Sequence, residues 1–157
     1  MNIGVIGGGE VSEETKELAR EVGRRIAEGG ANLICGGHGG VMEMACKGAK
    51  EGNGLTVGVL PASDPDDANP YVDVAIPTGL GYARNAVIAV ASDVLIAIGG
   101  KYGTLSEIAH ALNLGKKVVG LGSWRLDQMD EECENFIPAK TAEEAVGIAL
   151  GEARSSD

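Results

Sequence analysis

The residues best suited to chemistry are 99–107, which read GGKYGTLSE. An apolar run, Val94–Ile98, leads into them, and a helical pattern follows them. The order of strand, glycine-rich turn and helix start places backbone N–H groups at the positive end of a helix dipole. Residues 99–104, called here the third glycine turn, therefore predict a site for a phosphate or another anion.

Two further glycine-rich turns are expected at the same edge of the sheet. The first glycine turn, Gly7–Gly9, follows the first apolar run, and the second glycine turn, Gly36–Gly40, follows the next one. Because ligands of open parallel sheets bind beyond the carboxyl ends of the strands, we expect the three turns to converge on one ligand. The predicted ligand-binding residues in or beside these turns are Gly8, Gly37, Gly39, Gly40, Met42, Gly99, Gly100, Gly103 and Thr104.

Two charged residues are candidates for catalysis, because each lies near the start of a predicted helix that opens on this edge. Arg84 is the only cation in residues 78–92, and a guanidinium can bind a phosphate through two parallel hydrogen bonds. An exposed surface arginine is the alternative interpretation. Glu107 also has a structural alternative, since Thr104 and Glu107 match a capping box, in which the glutamate binds the N-cap amide.

Short β-branched runs alternate with helical patterns along the chain, which is typical of repeated βαβ units. The predicted fold class is α/β: a single Rossmann-like three-layer domain over residues 1–150, with a parallel sheet of six to seven strands and a frayed tail at 151–157. The predicted strands are Ile3–Ile6, Ala31–Cys35, Leu55–Leu60, Val72–Ile76, Val94–Ile98, Lys117–Leu121 and a weaker seventh near Asn135–Ile137. The predicted helices are Glu13–Glu28 after an N-cap at Ser12, Val41–Glu51, Tyr82–Ala91, Leu105–Leu114, and Ala142–Leu150 after an N-cap at Thr141.

Two segments each allow two interpretations. The polar, proline-bounded loop at residues 61–70 is either a lid over the site or an ordinary surface loop. The predicted helix at 85–91 is apolar nearly all round, so it is either buried in the monomer or shared with a partner chain.

Composition excludes several classes of function. The 157 residues carry a formal net charge of -10, which argues against sequence-independent binding to nucleic acid. Three cysteines without CxxC spacing and two histidines predict neither a disulfide framework nor a metal site, and they favour a reducing cytoplasm. We find no apolar segment long enough for a membrane helix and no signal peptide pattern at the start, so no membrane partner is expected.

Two common nucleotide-binding signatures are missing from the sequence. A dinucleotide-binding fingerprint requires GxGxxG after the first strand and an acidic residue at the end of the second, whereas the second predicted strand ends in Cys35. No GxxxxGK[ST] string occurs either, and Lys101 lies within its turn. Hydrolysis of ATP or GTP is therefore not predicted, and the ligand is expected to be a small phosphorylated molecule.

Three motifs, in order along the chain, resemble the superfamily of LOG-type phosphoribohydrolases and molybdenum-cofactor carrier proteins. These motifs are GGHGGVMEMA at 36–45, GYARN at 81–85 and GGKYGTLSE at 99–107. The resemblance implies a Rossmann-like fold and a homodimer or higher homo-oligomer with its site near the interface. For LOG-type enzymes it implies cleavage of the N-glycosidic bond of a nucleoside 5′-monophosphate without metal or cofactor. Gly100, Gly103 and Thr104 would then hold the 5′-phosphate, Glu107 would lie near the ribose, and Arg84 would orient Glu107 and the ligand.

Departures from the LOG pattern favour the carrier-protein branch. The LOG pattern is PGGxGTxxE, whereas Ile98 replaces the proline here and the turn is one residue longer. Asn85 also stands where a lysine usually follows the arginine, and residues 69–79 resemble the carrier proteins too. The alternative function implied is therefore a non-catalytic carrier, with the molybdenum cofactor, a nucleotide or another phosphorylated small molecule as its ligand. The lysine decarboxylase label once given to such proteins is not supported, because Lys101 has no feature of a pyridoxal-phosphate lysine.

Overall fold

Seven parallel strands form one sheet in the computed structural model, which describes residues 1–126 and 133–151. The strands are β1 (Asn2–Gly7), β2 (Asn32–Cys35), β3 (Thr56–Leu60), β4 (Val74–Pro77), β5 (Val94–Ile98), β6 (Lys117–Leu121) and β7 (Phe136–Ala139). Their order is β4-β3-β2-β1-β5-β6-β7, and every neighbouring pair is parallel. The direction of winding therefore reverses between β1 and β5, where Gly7 pairs with Ile98.

Five α-helices cover the two faces of this sheet: α1 (Glu13–Glu28), α2 (Val41–Glu51), α3 (Arg84–Ala91), α4 (Tyr102–Asn113) and α5 (Ala142–Leu150). Alternation along β5 shows why both faces are covered. Ile96 and Ile98 pack into the cluster formed with α1, α2 and α5, whereas Leu95 and Ala97 pack into the cluster formed with α3 and α4. The predicted α/β fold with a three-layer, Rossmann-like arrangement is confirmed.

Helix starts divide into two groups. Ser12 and Thr141 cap α1 and α5 as predicted, accepting hydrogen bonds from the backbone N–H groups of Thr15 at 3.2 Å and Glu144 at 3.1 Å. The capping box proposed for α4 is wrong, because the helix begins at Tyr102, after Lys101 as its N-cap, and its first turn already contains Thr104. Lys101 is thus at a helix start, not inside the turn as predicted.

Smaller differences concern the segment around α3. The predicted helix at 82–91 begins as a 3-10 turn, Gly81–Ala83, and becomes α-helical only at Arg84. Ile88 and Ala89 of α3 are buried, whereas Val90 is exposed. The ammonium of Lys116 closes the end of this helix by donating to the carbonyl oxygens of Ala89, Val90 and Ser92 at 2.8, 2.7 and 2.6 Å.

The loop at 61–70 is attached at its far end to the second glycine turn. The backbone N–H of Asn69 donates to the Gly37 carbonyl at 2.8 Å, and its side-chain amide donates to the His38 carbonyl at 2.9 Å. Of the predicted tail, Gly151 ends α5 in the left-handed conformation, and residues 152–157 lie outside the described residues. No helix among the described residues is long and apolar enough to cross a membrane.

Candidate functional site

A cleft of about 410 Å³ opens at the carboxyl edge of the sheet, where the winding reverses between β1 and β5. One wall is the first glycine turn with Glu10 and Val11, and Gly36 lies at the end of β2. The starts of α3 and α4 form the opposite wall. Ligands of open parallel sheets bind at this position, so the topology and the cavity coincide.

Three helices that start around the cleft have no side-chain cap. The N-cap residues are Gly40 for α2, Ala83 for α3 and Lys101 for α4, and none of them accepts a hydrogen bond through its side chain. The capped helices, α1 and α5, contribute no residue to the cleft. The first N–H groups of an α-helix have no partner within the helix, so backbone donors remain for a bound anion at α4, beside Gly103 and Thr104.

Two glycines of the third glycine turn are glycine for different reasons. Gly100 has φ +98°, and a Cβ atom there would overlap the side chain of Thr104. Gly103 does not have a positive φ, and a Cβ atom added to it would meet no atom within 4 Å. The fold therefore requires glycine at 100 but not at 103, where the open space belongs to the cleft.

Glu107 lies one turn further along α4 and is 7% exposed. Among residues 1–126 and 133–151, no group donates a hydrogen bond to its carboxylate. In the same residues, every side-chain oxygen that is fully shielded from solvent has a hydrogen-bond partner. The carboxyl oxygens therefore reach the cleft. Burial raises the pKa of Glu107 to about 8, and the positive charge of Arg84 opposes this rise.

Arg84, the first residue of α3, is held by three hydrogen bonds. Its Nη1 donates to the carbonyl oxygens of Gly36 and Val59, both at 2.6 Å, and its Nε donates to Asn85 Oδ1 at 2.9 Å. Burial lowers the pKa of Arg84, and Glu107 opposes this effect. Its Nη2 donates to no group among the described residues, so two N–H groups remain for a ligand.

The predicted site residues fall into two sets. Those that line the cleft are Gly8, Met42, Arg84, Gly100, Gly103, Thr104 and Glu107. Four others, Gly37, Gly39, Gly40 and Gly99, do not line it. Gly37, Gly40 and Gly99 have positive φ and shape the turns, whereas a Cβ on Gly39 would make only an ordinary contact, 3.5 Å from the Gly9 carbonyl oxygen. Direct contact of these four glycines with a ligand stays a prediction.

Ten lining residues were not among the predicted ones, and four of these ten have polar side chains: Glu10, Tyr82, Asn85 and Lys101. Asn85 is the most informative of them, because it is 6% exposed and hydrogen-bonded on both sides of its amide. Its position directly after Arg84 was the available signal. No group of three or more His, Cys, Asp or Glu in the part of the chain described here could hold a metal ion.

Comparison with known proteins identifies the family. The model of the SLOG cluster4 family matches residues 1–149. The chain belongs to the SLOG cluster4 family. A relative in this comparison, a protein of Archaeoglobus fulgidus, is 54% identical over 142 residues, which are 87% of this chain and 93% of that protein.

Solved structures similar to this SLOG cluster4 chain include molybdenum cofactor proteins. The molybdenum cofactor binding protein of Rippkaea orientalis has a TM-score of 0.89 and 38% identity, covering 96% of this chain and 95% of that one. The molybdenum cofactor carrier protein of Chlamydomonas reinhardtii has a TM-score of 0.85 and 37% identity, covering 96% of both chains. The resemblance to carrier proteins found in the motifs is thereby confirmed.

The similarity to LOG enzymes is lower and covers less. The cytokinin riboside 5′-monophosphate phosphoribohydrolase LOG of Oryza sativa is 32% identical over 115 residues. That match covers 68% of this chain and 47% of the rice enzyme, so the chain spans about half the length of that relative. The superfamily expected from the motifs, with its LOG-type and carrier branches, is confirmed.

Proposed function

We propose that the cleft binds a nucleoside 5′-monophosphate and that the protein hydrolyses its N-glycosidic bond. The observation that supports this most directly is the first turn of α4, which has no side-chain cap and borders the cleft at Gly103. The fold itself does not require glycine at this position. A phosphate at this helix start would accept these N–H groups and interact favourably with the helix dipole. The two unused N–H groups of Arg84 would contact the phosphate or the ribose.

The acid for this chemistry is Glu107. In the proposed step water attacks C1′ of the ribose, and the C1′–N bond breaks with its electron pair passing to the base. The departing base gains a proton, the attacking water loses one, and the products are free base and ribose 5-phosphate. The transition state carries positive charge on the ribose, which an ionised carboxylate that is largely buried stabilises. Ionised Glu107 would also take the proton of the water.

The pKa of about 8 sets the pH dependence of this step. Since the ionised form of Glu107 does the work, release of free base should increase as the pH rises towards about 8 and should level off above it. A release rate that falls over this range would instead make Glu107 the proton donor to the departing base.

The decisive experiment is incubation of the purified protein with AMP, GMP and CMP, followed by mass spectrometry for free base and ribose 5-phosphate. We expect release from at least one nucleotide, and loss of it in both Arg84→Ala and Glu107→Ala. Thr141→Ala, at the N-cap of α5, which contributes no residue to the cleft, should keep it. Undiminished release by both site variants would end this assignment.

A second function, carriage of a phosphorylated pterin such as the molybdenum cofactor, is supported by the full-length similarity to two molybdenum cofactor proteins. The same donors at α4 and Arg84 would hold the phosphate, with Met42 and Val11 beside the rings in the cleft. A carrier would retain its ligand through purification without turnover, which native mass spectrometry detects. A Gly103→Val variant that retains the ligand unchanged would refute this use of the cleft.

We also propose that residues 1–150 act as a single domain in a homodimer or higher homo-oligomer. Two tyrosines at the edge of the site, Tyr82 and Tyr102, are 91% and 81% exposed, and Leu80 and Val90 are exposed as well. Apolar surface of this kind favours contact with a second protein chain. Light scattering coupled to size-exclusion chromatography tests this, and a monomer at all concentrations would refute it.

A further inference from the structure

A chain of three side-chain hydrogen bonds joins the arginine to the third glycine turn. Arg84 Nε donates to Asn85 Oδ1 at 2.9 Å, and Asn85 Nδ2 donates to Ser106 Oγ at 3.0 Å. Ser106 Oγ in turn donates to the carbonyl oxygen of Gly103 at 2.7 Å. These three hydrogen bonds therefore link the first residue of α3 to the first turn of α4.

The direction of each bond is fixed by chemistry. Arg84 Nε can only donate, so the carbonyl side of the Asn85 amide must face it, and the NH₂ side must face Ser106. The Ser106 hydroxyl then accepts one bond and gives its single proton to Gly103. No other amide orientation satisfies the same atoms, and Asn85 is 6% exposed, so water cannot easily replace its partners.

The other bonds of Arg84 make this orientation matter for a ligand. Its Nη1 is held by the carbonyl ends of β2 and β3, through Gly36 and Val59. With Nη1 and Nε both bound, the plane of the guanidinium is fixed and Nη2 alone is left for the cleft. A guanidinium binds a phosphate well only when its donors are correctly aimed, because the contact is directional.

We propose that Asn85 and Ser106 are positioning residues, which hold the Arg84 guanidinium and the amides of the third glycine turn in one fixed relation. The inference rests on the proposed function, because it concerns the same phosphorylated ligand. Neither residue needs to touch that ligand: Asn85 acts through Arg84, and Ser106 acts through Asn85 and Gly103. An asparagine suits this place because a neutral amide adds no negative charge beside a site for an anion.

The binding arm of the test uses AMP as the probe and calorimetric titration as the measurement. Ser106→Ala leaves Asn85 Nδ2 without its partner and removes the side-chain bond to the Gly103 carbonyl, and we expect AMP affinity to fall about tenfold. Ser106→Thr keeps the hydroxyl and should restore affinity to within about threefold of wild type. Thr141→Ala is the control, since it likewise removes a side-chain hydroxyl, at the N-cap of α5, a helix that does not line the cleft.

A spectroscopic arm tests the hydrogen-bond chain without any ligand. The ¹⁵N–¹H signal of Arg84 Nε is assigned by its disappearance in Arg84→Lys, and its exchange with water is then measured. Ser106 does not contact Arg84, yet Ser106→Ala should shift this signal and speed its exchange about tenfold, because Asn85 loses its anchor. Thr141→Ala should leave both unchanged, and Asn85→Ala gives the limit of a released Nε–H.

The two arms separate the failure of this inference from the failure of the proposed function. If wild-type protein does not bind AMP but the Nε signal responds to Ser106→Ala, the ligand assignment is wrong and the coupling stands. If AMP binds and Ser106→Ala changes neither the affinity nor the Nε signal, the positioning role is overturned. An affinity loss that Ser106→Thr does not restore, with an unmoved Nε signal, also overturns it.

Discussion

Replacing Gly103 by alanine separates the needs of the fold from the needs of the ligand. Gly103 is the second residue of α4, does not have a positive φ, and offers a Cβ atom no contact within 4 Å. Glycine within a helix is less stable than alanine by about 0.5–1 kcal/mol. The Gly103→Ala protein should therefore be more stable than wild type by that amount, which for a chain of 157 residues raises the melting temperature by about 1–4 °C.

The same methyl group should weaken ligand binding. It would occupy the space beside the free amides of α4, where a phosphate must approach closely. Forcing an added methyl into a tight contact costs about 1–3 kcal/mol, so AMP affinity should fall about 5- to 150-fold. Gly100→Ala is the contrasting variant, because its φ of +98° and the neighbouring Thr104 side chain make alanine destabilising by at least about 1–2 kcal/mol.

Two assays read these effects separately. Thermal unfolding without ligand, followed by circular dichroism, measures stability, and calorimetric titration with AMP measures binding. A Gly103→Ala protein that melts below wild type would refute our account of why glycine stands there. One that is more stable yet binds AMP like wild type would show that the ligand does not approach this residue.

Three further changes test other parts of the structure. The free energy of unfolding should decrease as the pH rises from about 4.5 to about 8, because native Glu107 keeps a proton that the unfolded chain releases. Glu107→Gln should remove this pH dependence in thermal melts. An unchanged pH dependence would contradict the burial argument. Lys116→Met removes three hydrogen bonds to the end of α3 and should lower the free energy of unfolding, measured in urea, by about 1–3 kcal/mol. AMP affinity should stay the same. A loss of affinity would disagree with the placement of Lys116 outside the cleft. Arg84→Lys cannot reproduce the bonds to Gly36, Val59 and Asn85 together, so AMP affinity should fall about tenfold in titrations, and wild-type affinity would argue against a directional guanidinium.

Much of the fold was predictable because local signals agreed with the packing. The bounds of β5, β6, α1, α2 and α5 match the prediction residue for residue. The apolar run of β5 is uninterrupted, Val118 and Val119 favour a strand in β6, and Ser12 and Thr141 are true caps. The start of α4 was missed for the opposite reason. No side chain caps α4, so the sequence before Tyr102 contains no capping residue that would mark the start of the helix. Thr104 resembles an N-cap residue in sequence, although it lies inside the helix.

The candidate site was predictable only as far as topology determines it. Arg84 and Glu107 converge on one cleft where the winding reverses, and the position of each near a predicted helix start at one edge of the sheet already indicated this convergence. The link between Asn85 and Ser106, which are 21 residues apart in sequence, depends on side-chain directions in two packed helices, and no local pattern encodes it. The unpaired state of Glu107 likewise depends on what surrounds it in space.

The missing cap of α4 has a consequence for protein engineering. Exchanging Lys101 for serine or aspartate is an obvious route to greater thermostability, since such a cap commonly adds about 0.5–2 kcal/mol. The new side chain would accept hydrogen bonds from the backbone N–H groups that the ligand needs, and aspartate would also repel an anionic ligand. Thermal stability and ligand affinity therefore place opposite demands on this residue, and selection for thermal stability alone would favour variants that no longer bind the ligand.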